Sequence, residues 1–81
     1  MYKIIDSIDL NELKMFHYLE GYNPLIADMY YKDFAGGEIK IVICKKTREI
    51  YCFTTNFEIK PKLDTFIQDL IRAGLVEKVG E

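Results

Sequence analysis

Residues 61–74, PKLDTFIQDLIRAG, place Leu63, Phe66, Ile67, Leu70 and Ile71 at helical spacing, with Ala73 on the same flank. Lys62, Thr65, Gln68, Asp69 and Arg72 fill the opposite side. A helix that is apolar on one side needs a surface to cover that side. The covering surface stands just upstream in EIKIVICKKTREIYCFTT, whose β-branched and aromatic residues predict strands over 38–45 and 50–55. One such helix beside such strands specifies an α+β domain.

A chain of 81 residues with 49% apolar content makes one domain, residues 1–81, with a real but small core. Burying the five large apolar side chains of the 61–73 helix contributes roughly 1.5–3 kcal/mol each in gross terms. Ordering entropy offsets most of it and leaves a net stability of roughly 5 kcal/mol. A dimer contact is a natural further source of stability at this length.

The net charge is −2, with no basic tail, lysine stripe or acidic run. That pattern argues against non-specific binding to nucleic acid or membrane surfaces. The interleaving of Asp and Glu with lysine argues against an acidic DNA mimic. Lysine outnumbers arginine, and Ile and Tyr are abundant, as in A/T-rich coding sequences of many bacteria, archaea and their viruses. No apolar run is long enough to span a bilayer. The opening MYKIIDSIDL lacks the features of a signal peptide, so a cytoplasmic location is expected. Cys44 and Cys52 are too few for a disulfide scaffold and are expected as free thiols.

Along the chain, Asp9 and Glu12 form a capping box for a helix over 10–20, and Gly21 stops it. The apolar residues of that segment spread around most of its circumference. Asn23-Pro24 also suits a helix start, but residues 25–34 read as a strand, because Gly36-Gly37 favours a tight hairpin turn. The turn sets Phe34 against Ile39, Asp33 against Lys40, Tyr30 against Ile43 and Asp28 against Lys45, two apolar and two opposite-charge pairs. Residues 56–60 form a loop, Pro61 opens the last helix and Gly74 ends it. The predicted architecture is helix–three-stranded antiparallel sheet–helix (αβββα), with optional short edge strands at 2–5 and 76–79. Ile26, Tyr30, Phe34, Ile39, Ile41 and Ile43 form the inward face under both helices. Met29, Tyr31, Val42 and Cys44 form an outward face with no helix left to cover it.

Candidate chemistry is sparse. His17 is the only histidine, and a surface or structural role suits it better than general-base catalysis. Cys44 and Cys52 stand directly opposite each other if the intervening turn holds three residues, which leaves their pairing open. Zinc is disfavoured by the absence of Cys-x-x-Cys spacing. Gly36-Gly37 lacks the following helix and lysine of a phosphate loop. Asp28 and Asp33 face lysines rather than each other, so they read as solvated cross-strand pairs. No catalytic, metal or cofactor site is expected. The aromatic group Tyr22, Tyr30, Tyr31 and Phe34 is more informative, because tyrosine suits protein interfaces and base stacking. Strict alternation keeps Tyr30 and Tyr31 on opposite faces, so an outward Tyr31 joins Met29 and Val42 in a semi-apolar surface.

The tail LIRAGLVEKVGE resembles the end of a recognition helix entering the wing of winged-helix regulators, and LNELKMFHYLE resembles their first helix. The helix–strands–helix order also resembles double-stranded-RNA-binding domains, whose last helix opens on a lysine cluster where this chain has Lys60 and Lys62. Either resemblance implies nucleic-acid binding through Lys60, Lys62, Arg72 and Lys78. The favoured expectation is a small non-enzymatic module, of the type carried by phages and mobile elements. It regulates or inhibits another protein, or pairs with its own copy, through Tyr31, Met29, Val42, Tyr22 and Tyr18.

Overall fold

The isoleucines at 39, 41 and 43 sit on one side of the strand at the centre of the molecule. The computed structural model describes residues 1–56, 58 and 60–80. Its strands are β1 (Tyr2–Ile4), β2 (Leu19–Asn23), β3 (Ala27–Phe34), β4 (Ile39–Cys44), β5 (Glu49–Thr54) and β6 (Val76–Lys78). They form a six-stranded sheet in the order β2-β3-β4-β5-β1-β6, and every neighbouring pair is antiparallel. Helical structure is confined to short pieces: a 3-10 helix over Leu10–Phe16, a 3-10 turn over Ala35–Gly37, α1 (Leu63–Phe66) and α2 (Gln68–Arg72).

The αβββα expectation is therefore corrected to a six-stranded antiparallel sheet with small helices. The segment expected to be a helix over 10–20 divides into a 3-10 helix and the strand β2. The physical reason is its spacing. Leu10, Leu13 and Phe16 recur every third residue, which aligns them on a helix with three residues per turn. Leu13 is fully buried, with Leu10 and Phe16 packed against the core beside it. Asp9 caps the turn by accepting the Asn11 N–H at 2.9 Å.

The last helix is also shorter than its periodicity suggests. Ile67 has φ −115° and ψ 22°, which separates α1 from α2. The break turns Ile67 and Leu70 fully into the core and sets Phe66 edge-to-face with Phe34, at 5.1 Å between ring centroids. Gly74, at φ 75°, closes α2 in the left-handed conformation, and the Leu75 N–H reaches back to Leu70 O at 3.0 Å. Of the loop expected over 56–60, positions 57 and 59 lie outside the described residues.

The β3–β4 register pairs Phe34 with Ile39, Asp33 with Lys40 and Tyr30 with Ile43. The Gly36-Gly37 turn is wider than a two-residue hairpin: Ala35 joins the glycines at positive φ (52°, 67° and 93°). Lys45 does not pair with Asp28 through its side chain. Its backbone N–H donates to Asp28 O at 3.1 Å, while its ammonium reaches Glu20 at 2.6 Å. The terminal strands take different places. β1 lies inside the sheet, between β5 and β6, so that of these two only β6 is an edge.

One side of the sheet carries the main core. Tyr30 of β3, Ile39, Ile41 and Ile43 of β4, Ile50 of β5 and Ile4 of β1 meet Leu13, Tyr18, Ile67, Leu70 and Leu75 there. Arg48 locks this arrangement from the β4–β5 turn. Its guanidinium donates to Ile5 O at 3.0 Å and to Ile8 O at 2.6 Å, and Ile4 N–H donates to Arg48 O at 2.9 Å. The chain between β1 and the first 3-10 helix is thus held by this side chain, together with the Ile5 N–H, which donates to Leu75 O at 3.0 Å. Arg48→Ala is expected to lower unfolding free energy by about 2 kcal/mol, because charge-assisted bonds are lost and part-buried carbonyls are left unpaired. Urea denaturation measures it, and a cost within about 0.5 kcal/mol contradicts the locking role.

Candidate functional site

The second face of the sheet is built by alternation opposite the isoleucines. Register places Leu19, Tyr31, Val42 and Tyr51 in one row across four strands, and Gly21, Met29 and Cys44 in the next. A third row joins Asp33, Lys40 and Phe53. The face is not bare, as the sequence suggested. Val42 is only 2% exposed, and Met29 and Cys44 are also buried, so these residues are floor rather than contact surface.

Their cover comes from the chain's own side chains. Tyr31 lies flat over β2: a Cβ added to Gly21 would stand 2.9 Å from its ring. This is an aromatic ring filling the space left by an edge glycine. The Lys40 ammonium sits 5.1 Å from the same ring. Tyr31 is thereby fixed against the sheet, half-buried. From the β2–β3 turn, Ile26 reaches across, and its carbonyl accepts from the Cys44 thiol at 3.7 Å. Ala27, at φ 72°, breaks the alternation there, so Ile26 lines this face rather than the inward one expected.

Two open grooves remain between these covers. One, of about 260 Å³, is lined by Ile26, Met29, Lys40, Val42 and Phe53 among others. The other, of about 390 Å³, is lined by Leu25, Ile26, Cys44, Lys46, Thr47, Tyr51 and Phe53. Ile26 and Phe53 border both. Leu25 is 95% exposed, Leu19 58% and Phe53 47%. Sequence reasoning did not single out Leu19, Leu25, Ile26 or Phe53 as contacts. Leu19 is expected in a helix and Leu25 in a strand that begins only at Ala27, and the β4–β5 register that places Phe53 on this face is not readable from the polar turn between those strands.

The remaining predicted contacts lie elsewhere. Tyr18 is buried in the core, so it is not a partner-facing residue. Among the described residues its hydroxyl has no hydrogen-bond partner, and burial, then the nearby Asp69 charge, pushes its ionisation well above the usual tyrosine range. Tyr22 is exposed but stands beside Asp28 on the helix side of the sheet. Lys60, Lys62, Arg72 and Lys78 are all exposed. Asp64 and Asp69 stand among them on α1 and α2, and Glu77 adjoins Lys78 on β6.

The cysteines do not oppose each other. Cys52 pairs with Ile41 and faces the core, whereas Cys44 faces the grooves, and both are free thiols. Burial pushes Cys44 up, as the largest single influence. Hydrogen bonds from the Thr47 hydroxyl and from the Thr47 and Lys46 backbone together outweigh it, so the thiol ionises below its ordinary value. Cys52 has no such bonds, and burial raises it. His17 caps the first 3-10 helix at φ 70° and is absent from both groove linings. Among the described residues, no group of three or more His, Cys, Asp or Glu is placed to hold a metal ion, and no helix is long and apolar enough to cross a membrane. No protein family matches the chain, no curated protein matches it, and no solved structure matches it.

Two outcomes follow from this chemistry. The pH profile of alkylation, read residue by residue by mass spectrometry, is expected to show Cys44 titrating at lower pH than Cys52; the reverse order contradicts the groove geometry. Tyr18→Phe removes an unpaired buried hydroxyl and is expected to leave stability unchanged or raise it by up to about 1 kcal/mol. A loss above about 1 kcal/mol in a thermal melt means the hydroxyl has a partner after all.

Proposed function

We propose that the chain is a small non-enzymatic binding module that acts by occupying the surface of another protein. The observation that carries this reading is the exposure of Leu25 and Phe53 at the rim of two grooves on one side of the sheet, which share Ile26 and Phe53. Apolar surface collected in this way favours a partner with apolar side chains of its own. The floor of Met29, Val42 and Cys44 supports the grooves. A regulatory or inhibitory role follows from steric occupation alone and requires no catalytic group. A cytoplasmic setting, as for phage or mobile-element proteins of similar size, suits two free thiols.

Nucleic-acid binding through Lys60, Lys62, Arg72 and Lys78 ranks second, because acidic residues are interleaved with that set and dilute its field. The two readings separate by position. A photoreactive phenylalanine at position 53 is expected to cross-link a protein in lysate of the producing cell. The same residue at exposed position 65, on α1, is expected not to. Leu25→Asp abolishes the adduct at 53 while shifting stability by no more than about 0.5 kcal/mol. Equal labelling from both positions, or nuclease-sensitive adducts from 65 alone, overturns the sheet-face reading.

A further inference from the structure

The sheet ends on β2 at one side and on β6 at the other. Among the described residues, no strand or loop backbone pairs with the outer side of β2. Natural edges are commonly blunted by brevity, charge or a covering loop. β6 is blunted in the first two ways: it has three residues, with Glu77 at its centre. Antiparallel pairing of β6 with its own copy would set Glu77 against Glu77, which like-charge repulsion opposes.

β2 is different. It has five residues, LEGYN, and Glu20 is its only charge. That carboxylate is engaged on its own chain, by Lys45 at 2.6 Å and Lys14 at 3.4 Å. The hydrogen bond from Lys45 holds Glu20 below the usual carboxylate range. Tyr22 is 68% exposed beside it. Pairing β2 antiparallel to itself, with the two faces of the sheet preserved, leaves few central registers. Centring on Glu20 opposes two carboxylates. Centring on Tyr22 sets Glu20 against Pro24, which has no N–H to donate. Centring on Gly21 opposes Gly21 to Gly21, Leu19 to Asn23 and Glu20 to Tyr22. That register uses the whole strand and brings no like charges together.

We infer that the chain forms a two-fold dimer by antiparallel pairing of β2 with β2 of a second copy, centred on Gly21. The contact is isologous, so it closes at two copies. Each Tyr22 lies beside the Glu20 of the other copy, and each Leu19 gains cover from the other copy's Asn23. The Tyr31 rings already lying over Gly21 flank the seam on the groove side. The grooves of both copies then share one extended surface. A five-residue edge is a small contact, so the association is weak and concentration-dependent. The inference does not depend on what binds the grooves.

Sedimentation of the full chain from about 10 µM to about 1 mM, with hydrogen exchange at both ends of that range, tests it. The expected result is a monomer–dimer equilibrium with no larger species, and β2 amides that exchange more slowly as concentration rises. Tyr22→Glu sets a new carboxylate against Glu20 of the other copy twice. Its dissociation constant is expected to exceed that of Tyr22→Lys by about tenfold or more, with circular dichroism confirming that both fold. A chain that stays monomeric throughout, or equal constants for the two variants, overturns the proposal. So does growth beyond a dimer, the signature of β2 pairing with β6. A dimer that Phe53→Asp dissolves and Tyr22→Glu does not overturns it in favour of face-to-face contact.

Discussion

Burial of β4 on both faces is the constraint around which the rest of the molecule is arranged. Ile41, Val42 and Ile43 are each at most 2% exposed, although Val42 points away from its neighbours. A strand of this kind needs a cover on each side, and burying each such side chain contributes roughly 1.5–3 kcal/mol in gross terms. A chain of 81 residues has few elements to supply two covers. One side receives every helical piece that enters the core, together with Tyr18 and Leu75. The other is covered by side chains lying on the sheet itself: Tyr31 over Gly21, and Ile26 reaching across to Cys44.

This unequal division explains where the candidate site lies. A layer of single side chains cannot close a surface as a packed helix does. It leaves two grooves, and the side chains that would complete the cover, Leu25 and Phe53, stay exposed at the rim. The second face is thus neither a bare sheet nor a finished core. Its floor is fixed by packing, and its rim is the part available to a partner. Tyr31 serves mainly to cover β2, which moves the centre of the proposed contact toward Phe53 and Leu25.

The β3–β4 pairing was legible because the identities opposed in it are chemically matched on both faces. A one-residue slip would have exchanged Tyr30 for Tyr31 and the isoleucines for Lys40 and Val42. The edges of the sheet were less legible. Residues 10–20 contain good helix formers and a helix cap, yet Leu19 and Glu20 are drawn into β2 by pairing with Tyr31 and Tyr30. Tertiary pairing of this kind overrides local propensity. β1 posed the same difficulty in another form, because its two partners, β5 and β6, are distant in sequence. No local pattern tells a three-residue strand at a sheet edge from one in the interior.

The sequence by itself determined the alternation of β4 and β5, the outward parity of Val42, and the apolar side of residues 63–71. Each follows from a repeat of two or roughly 3.6 residues written into neighbouring positions. Tertiary structure decided that residues 19–23 become a strand, that the last helix breaks at Ile67, and that Tyr18 is sealed in the core while Leu25 stands in solvent. Those outcomes depend on which distant surfaces compete for the same side chain, and neighbouring positions alone do not encode that competition.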